Sequence, residues 1–105
     1  MLDFSPPIGA ARIPQINAAI TELVKEFSPD VVHIRYDLMP DWSGDPAVYF
    51  RVLLSDEASS KPGVVSRKVE KRMDELLDFL WLELFAYYNY RNVSEQAVLQ
   101  DKSWA

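Results

Sequence analysis

Three aspartates, Asp37, Asp41 and Asp45, stand four residues apart around the stretch DWSGDP, and Asp56 and Glu57 close the apolar run that follows. Carboxylates that converge hold magnesium or calcium through their oxygens. On that reading the first three are metal ligands of a divalent-metal-dependent hydrolase or phosphate-ligand enzyme, with His33 or Arg51 assisting. The stretch lacks the alternating ligand spacing of an EF-hand loop, and Gly44 is misplaced for one. Turn chemistry accounts for the same residues with fewer demands. Aspartate bonds nearby backbone N–H groups, Gly44 permits positive φ, and Pro46 stiffens the exit. A turn is the expectation, and the metal enzyme is the alternative. Trp42, at the tip, either folds back onto the core or serves as a contact residue, since tryptophan is enriched among binding hot spots.

His33 is the only histidine, which excludes multi-histidine metal sites and leaves few choices for a catalytic base. It shares a strand face with Arg35 and Asp37, and Tyr49 and Arg51 lie across from them. That row suits an anionic ligand, but cross-strand pairs on a wet sheet face are the commoner arrangement and the one expected. A second basic group, Lys61, Arg67, Lys68, Lys71 and Arg72, lies near a helix start, where cations favour a bound anion. A solvated face eased by Lys71 and Glu75 explains it equally well and is preferred.

The chain has 11 basic and 16 acidic residues, a net charge of −5, so general nucleic-acid binding is disfavoured. With no cysteine there are no disulfides, thiolate metal sites or cysteine nucleophiles. No phosphate-binding glycine loop, dinucleotide fingerprint or zinc spacing occurs. No catalytic residue and no cofactor is therefore expected. The start lacks a signal-peptide pattern and no stretch is apolar enough for a membrane span, which points to a cytoplasmic protein.

The elements that must position these groups follow from periodicity. A chain of 105 residues, 49% hydrophobic and 26% charged, makes one small domain over 1–105. Residues 1–11, with two prolines and a glycine, read as an irregular lead. Ile13, Ile16, Ile20, Leu23, Val24 and Phe27 then recur at helical spacing, with Pro14 in the first turn and Pro29 ending the helix. Residues 31–38 and 47–55 alternate as strands, with Val32, Ile34, Tyr36 and Leu38 inward on the first and Val48, Phe50, Val52 and Leu54 inward on the second. An eight-residue loop, 39–46, joins them as an antiparallel hairpin.

After a polar connector, one long helix is expected over 64–86, with Val65, Val69, Met73, Leu76, Leu77, Leu80 and Leu84 on one arc about 120° wide. The tail, 88–105, carries a short helix from a Ser94 cap to Gln100, with Glu95 at its positive end. The predicted class is α+β, in the order α-β-β-α(-α), a hairpin packed by one medium and one long helix. Two strands alone are marginal, so a second copy is expected to extend the sheet, unless AYYNYR supplies a third strand.

The second half of the long helix, LLDFLWLELF, is apolar on nearly every side, because Phe79, Leu82 and Phe85, with Trp81 nearby, fall opposite the core arc. Either the tail, with Tyr87, Tyr88, Tyr90 and Arg91, or a partner chain must cover it. The preferred function is a small interaction or regulatory protein, more readily non-enzymatic than enzymatic. It would form a homodimer, and would contact itself or another protein through Trp42, Phe79, Trp81, Leu82 and Phe85.

Overall fold

The computed structural model describes residues 6–61 and 63–105. Helix α1 spans Pro6–Phe27, strand β1 Val31–Pro40 and strand β2 Pro46–Leu54. A single turn α2, Asp56–Ser59, leads to helix α3, Val64–Leu76, and to a second single turn α4, Phe79–Leu82. Strand β3, Phe85–Asn92, helix α5, Val93–Leu99, and a 3₁₀ turn over Lys102–Trp104 complete the chain. The class is α+β, with a three-stranded mixed sheet in the order β1-β2-β3. No helix among the described residues is long and apolar enough to cross a membrane.

The first helix begins at Pro6, earlier than the proline-rich lead suggested, and Pro14 sits inside it rather than in its first turn. Residues 1–5 of that lead lie outside the described residues. Ile16, Ala19 and Leu23 are the fully packed positions of α1, while Ile13 is exposed.

The hairpin pairs antiparallel as expected, but its strands are longer and its loop shorter. Pairing runs out to Pro40 opposite Pro46, leaving five residues, 41–45, at the tip. The inward set of β2, Val48, Phe50, Val52 and Leu54, is buried as the alternation required. On β1 a register shift between Val31 and His33 reverses the first positions, so Val31 and Ile34 are buried and Val32 is exposed. A bulge adds one residue and breaks the two-residue alternation there.

The expected long helix breaks. Leu77 is extended, and the Asp78 side chain accepts from Trp81 N to open α4. Glu83 then turns the chain through a left-handed conformation, φ 59°. Residues 85–92 become a third strand parallel to β2, from Phe85 beside Ala47 to Asn92 beside Leu54. The reason is that a hairpin leaves one edge of β2 with unpaired N–H and C=O groups, and tyrosine-rich alternating sequence suits a strand better than a helix. The break also lets Leu77, Leu82 and Leu84 all enter the core. The strand-count argument for a dimer-completed sheet therefore falls, because AYYNYR supplies the missing strand.

The inner face of the sheet is covered by α1, α3 and α4. Its centre is Phe50, fully buried, with Tyr88 stacked at 5.1 Å and Phe79 edge-on at 6.3 Å. Arg72 clamps α3 to α1 by donating Nε and Nη2 to the Glu26 carboxylate, each at 2.8 Å. At the end of β3, helix α5 is capped by Asn92, not Ser94. The Asn92 side chain accepts from Glu95 N, and the Glu95 carboxylate accepts from Asn92 N. Ser94 instead donates through N and Oγ to the Asp56 carboxylate, tying α5 to α2.

One substitution separates this fold from the single long helix, and a second measures the core that both share. Phe50→Ala should cost about 3–5 kcal/mol in chemical denaturation. Leu80→Ala, central to the core arc of an unbroken helix but exposed here, should stay within about 0.5 kcal/mol when the chain is dilute enough to be monomeric.

Candidate functional site

The three aspartates do not act together. Asp37 lies on the outer face of the sheet, where Arg51 donates Nη1 to it at 2.5 Å. Asp41 and Asp45 meet at the hairpin tip, bridged by Ser43, whose hydroxyl is 2.7 Å from Asp41 Oδ1 and 3.0 Å from Asp45 Oδ2. Asp41 Oδ1 also accepts from Ser43 N and Asp45 N, and its Oδ2 accepts from the Tyr87 hydroxyl at 2.8 Å. Backbone bonds from Asp41 N to Asp45 O and from Gly44 N to Asp41 O close the turn. Gly44 has φ 88°, where a side chain would be strained.

Asp41 thus accepts from four donors, three at Oδ1 and one at Oδ2, and fastens the tip to β3. The Ser43 hydroxyl is the largest influence holding its carboxyl below the ordinary aspartate range. Partial burial opposes this, and Tyr87 and the two amides add to the lowering. Tyr87 in turn is pushed up, first by donating to that carboxylate. Among the described residues no three His, Asp or Glu side chains converge as a metal ion needs.

Asp41 also explains Trp42. With the carboxylate turned inward, the next side chain points away, and Trp42 is 91% exposed. It stands at the end of the sheet where β2 and β3 begin, the same end reached by α4. There Leu80 is 89% exposed, Trp81 67% and Phe85 57%. Of the five apolar contact residues expected from the sequence, Trp42, Trp81 and Phe85 are at the surface. Leu82 is buried, and Phe79 is half-buried against Phe50, because the break at Leu77 rotates them into the core. Leu80 takes their place outside, and sequence periodicity could not find it.

Two clefts flank α4. One, of about 450 Å³, lies between α1 and α4 and is lined by Ala18, Ala19, Leu76, Leu77, Trp81 and Leu82. The other, of about 300 Å³, is lined by Pro46, Phe79, Leu80, Leu84 and Phe85, with Asp45 and Glu83 at its border. Trp81 is steadied from α1 by Arg12, whose guanidinium lies 5.9 Å from its ring centroid and whose Nε donates to Leu82 O at 3.1 Å.

The basic helix start is dispersed. Arg67, Lys68 and Lys71 are exposed, while Arg72 is drawn to Glu26 and, at 3.5 Å, to Glu75, the acid expected to pair with Lys71. On the sheet's outer face the expected polar row is present. His33 stands opposite Leu53, Arg35 opposite Arg51, and Asp37 opposite Tyr49. It is crossed by the end of the chain, and Trp104, unremarked in the sequence, is buried there. A lone tryptophan in the polar run QDKSWA is the signal that marks it.

No protein-family model, curated protein or solved structure matches this chain. The functional reading therefore rests on geometry.

The Asp41 site has a direct check. Since its folded-state pKa lies below the unfolded value, Asp41 adds stability at pH above the ordinary aspartate range, and this is lost as pH falls through the folded value. Carboxyl titration followed by NMR should show Ser43→Ala raising the Asp41 pKa more than Tyr87→Phe does. Equal effects, or the reverse order, would contradict this account of the turn.

Proposed function

We propose that this protein is a non-enzymatic interaction module that associates with a second copy of itself through the apolar end of the sheet. The contact surface is Trp42, Leu80, Trp81 and Phe85. The observation that carries this reading is the exposure of four large apolar side chains at one end of a small domain. Scattered apolar residues are normal on a surface, but several large ones at one end of so small a domain suit an interface.

The chemistry of the patch suits such a contact. Aromatic and aliphatic anchors beside recesses make hot spots, and tryptophan is the residue most enriched in them. A two-fold contact needs the same patch to offer both a protrusion and a recess. Leu80 and Trp81 project from α4, and each borders one of its two clefts. The hydrogen-bonded tip presents Trp42 without a flexible loop, so little backbone ordering entropy is lost on contact. The hydrogen bonds already made by the Asp41 carboxylate and the Asp37–Arg51 pair weigh against the alternative metal enzyme as the preferred reading.

Light scattering behind a sizing column, over a range of concentrations, is the test. The unaltered chain should give a dimer mass, and Leu80→Asp or Trp81→Asp should weaken the dimer about tenfold or more while leaving circular dichroism unchanged. A unaltered chain that is monomeric throughout, or a dimer indifferent to both substitutions, overturns this surface.

A further inference from the structure

Residues 103–105 lie on the sheet with their main chain gripped by side chains. Arg51 Nε donates to Ser103 O, His33 Nε2 to Trp104 O and Arg35 Nε to Ala105 O, each at 2.6 Å. Three consecutive main-chain oxygens are thus held by three side chains from β1 and β2. One side chain of the segment is enclosed. Trp104 is 6% exposed, and the Arg91 guanidinium lies 4.4 Å from its ring centroid.

Main-chain grips with one aromatic anchor are how a surface recognises a peptide, since carbonyls are common to any peptide and the anchor supplies selectivity. The surface beneath is also poorly suited to being bare. Arg35 and Arg51 stand directly opposite on adjacent strands, an unfavourable like-charge pair, and Arg91 stands on β3 opposite Leu53. Asp37 answers only one of them. The main-chain oxygens of 103–105 lie where this positive row needs acceptors.

The segment's other ties are to Asp101, whose carboxylate lies 3.7 Å from Arg91 Nη1 and whose main-chain oxygen accepts from Gln96 Nε2 at 2.7 Å. Helix α5, which precedes it, has seven residues and buries none of them, and so short a helix is marginal by itself. Its ties are the Asn92 cap, the Ser94–Asp56 contact and the Arg91–Gln96 bond at 2.8 Å. Regions with few buried contacts open at low cost while the core stays folded.

From this we infer that the outer face of the sheet is a peptide-binding site, filled in its own chain by residues 101–105 and open to the same segment from a second copy. Arg35, Arg51 and His33 read the main chain, and Arg91 holds the indole. Exchange of identical segments between copies conserves every contact, so it needs no new surface. The inference is independent of the apolar end, which lies on other residues.

The test uses the full chain with fluorotryptophan, titrated with a peptide of residues 100–105 and observed by fluorine NMR. The Trp104 resonance should move from its buried to its solvent position while those of Trp42 and Trp81 stay in place. A control peptide with alanine for tryptophan should do nothing. No movement at millimolar peptide with the chain folded, or equal movement with the control, overturns the site.

In a second measurement, the folded Trp104→Ala chain should bind the labelled peptide about tenfold or more tightly than the unaltered chain, whose own tail competes. Adding Arg91→Ala should abolish that binding. Equal affinity in the two chains, or binding indifferent to Arg91, overturns the inference. Dimers that arise by exchange should be lost in Trp104→Ala and kept in Leu80→Asp. A chain that never self-associates overturns exchange between copies.

Discussion

The structure depends on the second edge of β2. This strand carries Val48, Phe50, Val52 and Leu54 at the centre of the core, yet a hairpin alone would leave one row of its backbone groups unpaired. Residues 85–92 fill that row in parallel register. A parallel neighbour requires a crossover, and the chain between β2 and β3 makes it with α2, α3 and α4. The helix cannot both continue and deliver a strand to the far edge, so it stops at Leu77.

What happens at the surface follows from that stop. An uninterrupted helix would put Leu80 inward and Leu82 outward, whereas the break at Leu77 and the turn at Glu83 do the reverse. Leu82 and Leu84 become core, Leu80, Trp81 and Phe85 become surface, and Leu80 and Phe85 share a cleft with Asp45 and Pro46 because β3 begins beside Ala47. Tyr87, carried on the same strand, reaches the Asp41 carboxylate and locks the tip that bears Trp42. Completing the sheet and assembling the apolar end are one event.

The opposite face shows the same coupling between backbone and charge. The polar row of β1 and β2 is visible as an alternation, and the Asp37–Arg51 contact is the kind of pairing such a row invites. The row's other acceptors are not side chains at all. They are main-chain oxygens of residues 103–105, remote in sequence, so no residue type announces them.

The sequence by itself determined the α+β class, the α1 helix through Phe27, the antiparallel hairpin, the inward set of β2 and the turn chemistry of Asp41 to Pro46. These depend on period, on β-propensity and on bonds between near neighbours. Only the tertiary structure decided where the second half of the chain divides. LLDFLWLELF satisfies a helix locally, and its break is set by hydrogen-bonding groups on β2 some thirty residues away. It likewise decided that Leu80 is exposed, that Asn92 and not Ser94 caps α5, and that Trp104 is buried. Local preference is written along the chain, but the unmet bonds of a distant strand edge choose among the conformations that preference allows.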